Sequence, residues 1–559
     1  MPHEATTRAW WFAFAGILFF VITNCGGSGD SGTPQADGGV TADAALQDDG
    51  TNPDGGASDG ATNDARHDGS ADGGEAGVAT VTAQEAYVKA SNTRATSNFG
   101  RSVAISSDGS TLAVGAFAES SNATGIGGNQ SDTSAPYAGA VYIFSRAGST
   151  WTQQAYVKAS NARLNSYFGS SVALSSDGST LAVGAEGESS NATGIGGNQS
   201  NTSTANAGAV YLFSRSATVW TQKAYVKASN TRLNSRFGGS VALSADGTTL
   251  ATGASGESSN ATVIGGNQSD TSQPNAGAVY IFSRSGTAWM QQAYVKASNG
   301  RSGSELGSSL ALSSDGSTLA VGAAFESSNA TGIGGNQSDT SAAFAGAVYI
   351  FSRSATVWTQ QAYVKASNTG ADSFFGYSVA LSFDGGRLAV GAYKESSNAT
   401  GIGGNQIDSS AALAGAVYVF SRSGTVWSQQ AYVKASNTRA NSSFGSSVAL
   451  SSDGSTLAAG APGESSNATG IGGNQSDTSA AYAGAVYLFS RSGTVWSQQA
   501  YVKASSTRAN SQFGTRVALS SDGSTLAVGA ERESSNATGI GGNQTDTSAP
   551  VAGAAYVFH

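Results

Sequence analysis

Seven near-copies of one segment, each 69 residues after the last, constrain this chain more than any other feature. The hexapeptide AYVKAS begins at Ala86, Ala155, Ala224, Ala293, Ala362, Ala431 and Ala500. An AGAVY-type segment begins at Ala138, Ala207, Ala276, Ala345, Ala414, Ala483 and Ala552, and nothing is inserted or deleted between copies. A fixed period of this kind means one supersecondary unit repeated, each copy burying apolar surface against its neighbours. In the first copy Arg101 to Ser106 reads as a strand, Ser107-Asp108-Gly109-Ser110 as a hairpin turn, and Thr111 to Gly115 as a second strand. A long polar loop leads to a third strand, Gly139 to Ser145, and a short turn to a fourth, Trp151 to Ala159.

In the third strand Ala140, Tyr142 and Phe144 alternate with Val141 and Ile143, so both faces are apolar and both must be covered. Seven small twisted sheets, each sandwiched by its neighbours, close into a β-propeller; an open solenoid is the alternative. The ends of the sequence favour closure. It stops at His559, after the third strand of the seventh unit, while the first AYVKAS has no unit before it. Residues 82–91 are therefore expected to supply the fourth strand of the last blade and to remove an exposed edge. The expected fold is all-β, a seven-bladed β-propeller of four-stranded blades over residues 79–559.

Phe99-Gly100, Phe168-Gly169, Phe237-Gly238, Phe375-Gly376, Phe444-Gly445 and Phe513-Gly514 recur in phase, with Leu306-Gly307 as the exception. Gly115-Ala116 has six counterparts, of which Gly460-Ala461-Pro462 alone adds a proline. In these residues the chain resembles the FG-GAP repeat family, whose best-known members are the integrin α-subunit propellers. The resemblance implies a binding or adhesion role. In that family a calcium loop of the form D-x-D/N-x-D/N-G often joins the first two strands of a blade. Here Ala104-Ile105-Ser106-Ser107-Asp108-Gly109 offers one carboxylate where Ca²⁺ takes roughly six to eight oxygens. Asp177, Asp246, Asp315, Asp384, Asp453 and Asp522 repeat the pattern, so Asp-Gly reads as turn chemistry and no calcium site is carried over.

The surplus length of each unit lies between strands two and three, where Glu119-Ser120-Ser121-Asn122-Ala123-Thr124-Gly125-Ile126-Gly127-Gly128-Asn129-Gln130-Ser131-Asp132 recurs almost unchanged. This loop and Ser91-Asn92-Thr93-Arg94, ahead of strand one, emerge on the same face. Three readings are open. The loops hydrogen-bond to themselves and their neighbours, with Glu119 pairing to an Arg such as Arg94. Or they form a multivalent rim for a protein or glycan. Or Glu119 and Asp132 hold calcium, although Asn201 replaces the acid in the second unit. The candidate rim residues are Asn129, Gln130 and Asp132; Asn198 and Gln199; Asn267, Gln268 and Asp270; Asn336, Gln337 and Asp339; Asn405, Gln406 and Asp408; Asn474, Gln475 and Asp477; Asn543, Gln544 and Asp546. The Trp residues from Trp151 to Trp496 read as blade packing, and Lys89 and its copies as solvated charges on outer strands. Lys394, Arg532, Glu531 and Glu305 break the sevenfold pattern and read as scattered single residues.

Ahead of the repeats, residues 9–22 (AWWFAFAGILFFVI) form a 14-residue apolar run, too short to span a bilayer of ~30 Å comfortably and suited to a signal peptide. The run leads into Ile22-Thr23-Asn24-Cys25-Gly26, which resembles a bacterial lipobox with Asn24 departing from the usual small residue. Cys25, the chain's sole cysteine, is then the lipid-attachment residue after a signal of residues 1–25. Gly26 in place of Asp points away from inner-membrane retention, hence toward the outer membrane or cell surface. In a bacterial host the sequon Asn122-Ala123-Thr124 is coincidental.

Residues 26–78 contain 10 Asp, Glu75 and 14 Gly against Arg66 alone, with no aromatic residue. Such a segment buries too little apolar surface to offset its ordering entropy and is expected to be a disordered tether. This segment carries a net charge of about −10 against −9 for the whole chain, leaving the repeats balanced and without the basic surplus that tracks nucleic acid. One Cys allows no intramolecular disulfide, and the three His (His3, His67, His559) lie outside the regular repeats. No Ser elbow, P-loop or HExxH motif occurs in the repeats, so neither a catalytic site nor a cofactor is expected.

Overall fold

A computed structural model describes residues 81–559; the expected signal segment, the tether and Cys25 lie outside the described residues. The 28 strands form seven four-stranded antiparallel sheets. In the first blade β2 (Phe99–Ile105), β3 (Thr111–Ala116), β4 (Ala140–Ala147) and β5 (Thr150–Val157) follow in order. The strand ahead of them, β1 (Gln84–Val88), belongs to the last blade. It pairs antiparallel with Ala554–Phe558, setting Tyr87 opposite Tyr556 and Val88 opposite Ala555. The chain's front strand thus completes its final sheet.

Both faces of each third strand are covered. Ala140, Val141, Tyr142, Ile143 and Phe144 have no exposed surface. Val141 and Ile143 pack with Leu181, Val183 and Tyr211 of the following blade. Tyr142 and Phe144 pack with Val88, Ala555 and Val557 of the preceding one. Continuous apolar runs rather than alternation are what a sheet buried on both sides requires. Trp151 is also buried, with the Arg146 guanidinium 5.9 Å from its ring centroid, in keeping with blade packing.

The Phe-Gly and Gly-Ala pairs meet at the seams between blades. Gly100 sits at a bulge where β2 skips register against β3. Its φ is +91°, and a Cβ there would lie 2.3 Å from the Ala554 carbonyl oxygen of the last blade. A Cβ on Gly115 would lie 2.2 Å from the Gly169 carbonyl oxygen of the second blade. Each seam therefore sets the Phe-Gly glycine of one blade against the Gly-Ala glycine of its predecessor, backbone on backbone, where no side chain fits. In the fourth blade Leu306 replaces the phenylalanine and is still buried, and Gly307 keeps the contact.

At the hairpin end of the axis the backbone closes on itself. Ser107 N–H donates to Ser176 O, Ser176 to Ala245, Ala245 to Ser314, Ser314 to Phe383, Phe383 to Ser452, Ser452 to Ser521, and Ser521 back to Ser107, at 2.8–3.0 Å. Beside this circle lies a cavity of about 180 Å³ lined by Ile105, Leu174 and their counterparts. The opposite end of the axis carries the long loops.

Candidate functional site

The rim loops are built from local polar chemistry. Asn129 Oδ1 accepts from the Ser131 amide (3.0 Å) and hydroxyl (2.7 Å). Asp132 Oδ1 accepts from the amides of Asn122 and Ser134, both at 3.0 Å, and from the Ser134 hydroxyl at 2.8 Å. These bonds, that from the Asn122 amide foremost, hold the Asp132 carboxyl below the usual carboxylate range. Gln130 Oε1 accepts from Ser91 Oγ, which joins the rim loop to the loop ahead of strand one on the same face.

The copies repeat this arrangement. Asn198, Asn267, Asn336, Asn405, Asn474 and Asn543 each accept the amide two residues on. Asp270, Asp339, Asp408, Asp477 and Asp546 do the same, with Asn201 standing in for the second blade's acid. Gln199, Gln268, Gln337, Gln406, Gln475 and Gln544 each accept a serine hydroxyl. The acceptor oxygens are spent inside the loops, while the amide nitrogens of Asn129 and Gln130 donate to no described protein group.

Two expectations about charged groups are corrected. Lys89 and its copies are not solvated: Lys89, Lys158, Lys227, Lys365, Lys434 and Lys503 have no exposed surface and Lys296 almost none. Each pairs with a buried glutamate, Lys158 with Glu119 at 2.7 Å and Lys89 with Glu533 at 2.8 Å, in all seven blades. The reason lies in strand parity, because Lys158 is two residues beyond the buried Tyr156 and so shares its face. Burial lowers the lysine pKa, and the partner carboxylate opposes that shift. Glu119 accordingly does not pair with Arg94. It also accepts from Asn92 Nδ2 (3.0 Å) and the Ser121 amide (3.1 Å). Arg94 instead donates to the Gln130 and Asp132 carbonyls, each at 2.8 Å. With its carboxylate acids committed to protein donors, the loop is a pinned scaffold.

The third correction concerns the breaks in symmetry. β2 starts where β3 ends, with Phe99 opposite Ala116, so residues flanking these two points share the loop end of the axis. Glu531 accepts from Arg101 Nη1 at 3.3 Å across the junction of the last and first blades. Glu186 lies in the fields of Arg101 and Arg236, and Glu305 in that of Arg236. Burial raises the pKa of both glutamates, and the arginines oppose it. Arg516 adjoins Arg101, Glu531 and, from the fifth blade, Tyr377. The Tyr377 and Tyr393 rings are 4.3 Å apart, and Lys394 Nζ sits 4.1 Å from the Phe374 ring centroid. Glu531, Glu305 and Lys394 therefore belong to one mouth around the axis, whereas Arg532 points into solvent.

Just ahead of the Phe-Gly position every copy holds a left-handed φ between 54° and 56°, at Asn98, Tyr167, Arg236, Glu305, Phe374, Ser443 and Gln512, so the varied side chains of the mouth ride on one repeated backbone turn. Sequence reasoning missed this group because it read the repeat for what the copies share, whereas Arg236, Glu305 and Phe374 vary the position just ahead of Phe-Gly, Arg101 and Tyr377 the one just after it, and Glu186, Tyr393 and Glu531 the one just after Gly-Ala. Superposing the seven copies and marking where they differ would have found it.

A ring of seven antiparallel four-stranded blades whose seams are Phe-Gly against Gly-Ala defines a β-propeller built of FG-GAP units. The family model described as "FG-GAP repeat" matches residues 82–144, 151–213, 220–282, 358–420, 427–489 and 496–558, and the chain belongs to that family. The unmatched span between the third and fourth matches contains Leu306-Gly307. Such a fold makes a protein-binding or structural module. No curated protein matches the chain.

Solved structures similar in fold include hydrazine synthase of Kuenenia stuttgartiensis (12% identity, 78% of this chain and 92% of that one, TM-score 0.43). Others are the periplasmic gluconolactonase PpgL of Pseudomonas aeruginosa (15%, 73% and 86%, 0.41) and the Cps50 (Swd1) β-propeller domain of Myceliophteria thermophila (10%, 84% and 98%, 0.43). Likenesses this remote carry no argument about activity. Among the described residues no group of three or more His, Cys, Asp or Glu side chains could hold a metal ion.

Proposed function

We propose that the protein is a surface recognition module, attached through lipidated Cys25, spaced from the membrane by residues 26–78, and binding a protein or glycan with the loop face of its propeller. One observation supports this above the rest. The seven copies all keep the buried Lys–Glu pair and the seam glycines, and diverge into Arg, Glu, Tyr and Phe at the axial mouth. A purely structural ring gains nothing by setting charged and aromatic side chains of different kinds around its axis. The rim loops, with their exposed amides, flank the mouth and enlarge the available surface.

The competing reading, a structural surface protein with no specific ligand, draws on the rim oxygens being satisfied internally. A binding screen of the full chain against envelope proteins and glycans separates the two. The expected result is a binder whose affinity falls at least tenfold when Arg101→Ser and Tyr377→Ser restore the residue common among the copies. Absence of any binder, or a binder indifferent to both changes, favours the structural reading. Palmitate labelling that disappears in Cys25→Ala is expected for the anchor.

A further inference from the structure

From the chemistry of the axial mouth we infer that it takes the carboxylate of an acidic sugar, a uronate residue of a glycan, with Arg516 as the anion-binding group and Tyr377 and Tyr393 as the stacking wall. This rests on the recognition reading above and names its ligand class.

Arg516 stands where six blades have serine. Ser102, Ser171, Ser240, Ser309 and Ser378 each donate to a glycine carbonyl of the next blade at 2.7–2.8 Å. The last blade gives up that seam bond and places a guanidinium at the mouth instead. Arg516 Nη1 donates to the Thr515 carbonyl at 2.8 Å, and among the described residues no carboxylate lies within ion-pair distance of it. Arg101 beside it is already matched by Glu531. Around the mouth Arg101, Arg236, Arg516 and Lys394 face Glu186, Glu305 and Glu531, four cations against three carboxylates, which leaves charge for one further carboxylate, and a guanidinium binds such a group through two parallel hydrogen bonds.

The surroundings narrow the class. Glu531 and Glu186 repel a multiply charged phosphate or a nucleic acid but accept hydrogen bonds from hydroxyls. Tyr377 and Tyr393 offer an aromatic surface of the kind on which the C–H face of a sugar ring packs. An acidic peptide is disfavoured because the backbone here is already paired. Phe99 N–H donates to Ala552 O at 2.9 Å, and parallel bridges such as Gly139 with Phe168 join neighbouring blades. At the mouth the strand ends are thus taken up by the neighbouring blades rather than left for main-chain addition. The mouth speaks through side chains alone.

The test is calorimetric titration of the full chain with trigalacturonate, its methyl ester and an Asp-rich peptide. The expected result is binding of trigalacturonate, with the ester about 10- to 100-fold weaker, as the loss of a charge-assisted hydrogen bond implies. Arg516→Ser should lose the same factor without lowering the melting temperature, since it restores the seam serine; Arg516→Lys should fall between. Equal binding of the ester, unchanged affinity in Arg516→Ser, or preference for the peptide would each overturn the inference. If uronate fails while Arg101→Ser and Tyr377→Ser still abolish a partner found in the screen, the ligand class is wrong and the recognition reading stands. If that partner is indifferent to them as well, both fall.

Discussion

Lys158 and Glu119 show how one residue pair fixes a loop. Their side chains are 0% and 1% exposed and 2.7 Å apart, and the Lys158 amide also donates to Gly125 O in the loop. Removing one member of a buried pair leaves an uncompensated charge at about 3–5 kcal/mol, whereas removing both costs far less. Lys158→Met is therefore expected to destabilise the protein by about that amount and to open the rim loop of its blade to proteolysis. Adding Glu119→Gln keeps an acceptor for Asn92 and Ser121 and should recover most of the loss, read from urea unfolding of the single and double variants. The pair was legible in principle, through the parity of Tyr156 and Lys158 and the joint recurrence of Lys and Glu in all seven copies. A lysine at the end of an outer strand suggests solvent only when the loop that folds over it is ignored.

Acid titration tests the carboxylates at the same scale. In Asp108 burial pushes the pKa up, but bonds from Ser106 and Ser110 outweigh it and the net shift is downward. The shift is also downward in its six hairpin counterparts and in Asp132 and five of its rim copies. A pKa depressed by folding gives stability that is present above the unfolded value of 3.8 and disappears as pH falls through the folded one. The melting temperature should hold from neutrality down to the ordinary carboxylate range and then drop steeply, with many sites acting together. Ser106→Ala should blunt the contribution of Asp108 to that drop. A melting temperature that declines evenly from pH 7 would contradict this account.

At the scale of strands and seams, the glycines separate two kinds of constraint. Gly115→Ala would drive a Cβ to 2.2 Å from a backbone oxygen of the next blade, so the seam must part, and overpacking of this sort costs about 1–3 kcal/mol or more. Gly125→Ala in the rim loop meets nothing within 4 Å and pays only for its φ of +71°, about 1–2 kcal/mol. Thermal melts should rank Gly115→Ala as the more damaging, and a reversal would mean the blades tolerate spreading. Strands, hairpins and the Phe-Gly with Gly-Ala motif were legible because each is written in neighbouring residues and repeated seven times. The mouth was not, since Glu305, Lys394 and Glu531 sit at different offsets. Only antiparallel pairing of β2 with β3, followed by circular closure, gathers such positions on one axis.

For the molecule as a whole, everything depends on the strand donated from the front. β1 brings Tyr87 and Val88 into the last blade, Lys89 to Glu533, and the Thr82 and Ala83 amides to the His559 carbonyl at 3.0 and 3.1 Å. Deleting residues 82–91 would leave Glu533 buried without its lysine and would bare Ala554–Phe558 as an apolar edge strand, which invites pairing between chains. The melting temperature should then fall further than for any single substitution above, and chromatography should show association that grows with concentration. Because the closure is strand pairing and not a covalent link, a synthetic peptide of residues 82–91 should bind the truncated chain and restore its melting temperature, and the same peptide carrying Lys89→Met should restore less. Truncation that leaves unfolding unchanged would mean the blades hold their circle without the borrowed strand, resting instead on the seam glycines and the seven backbone hydrogen bonds at the far end of the axis.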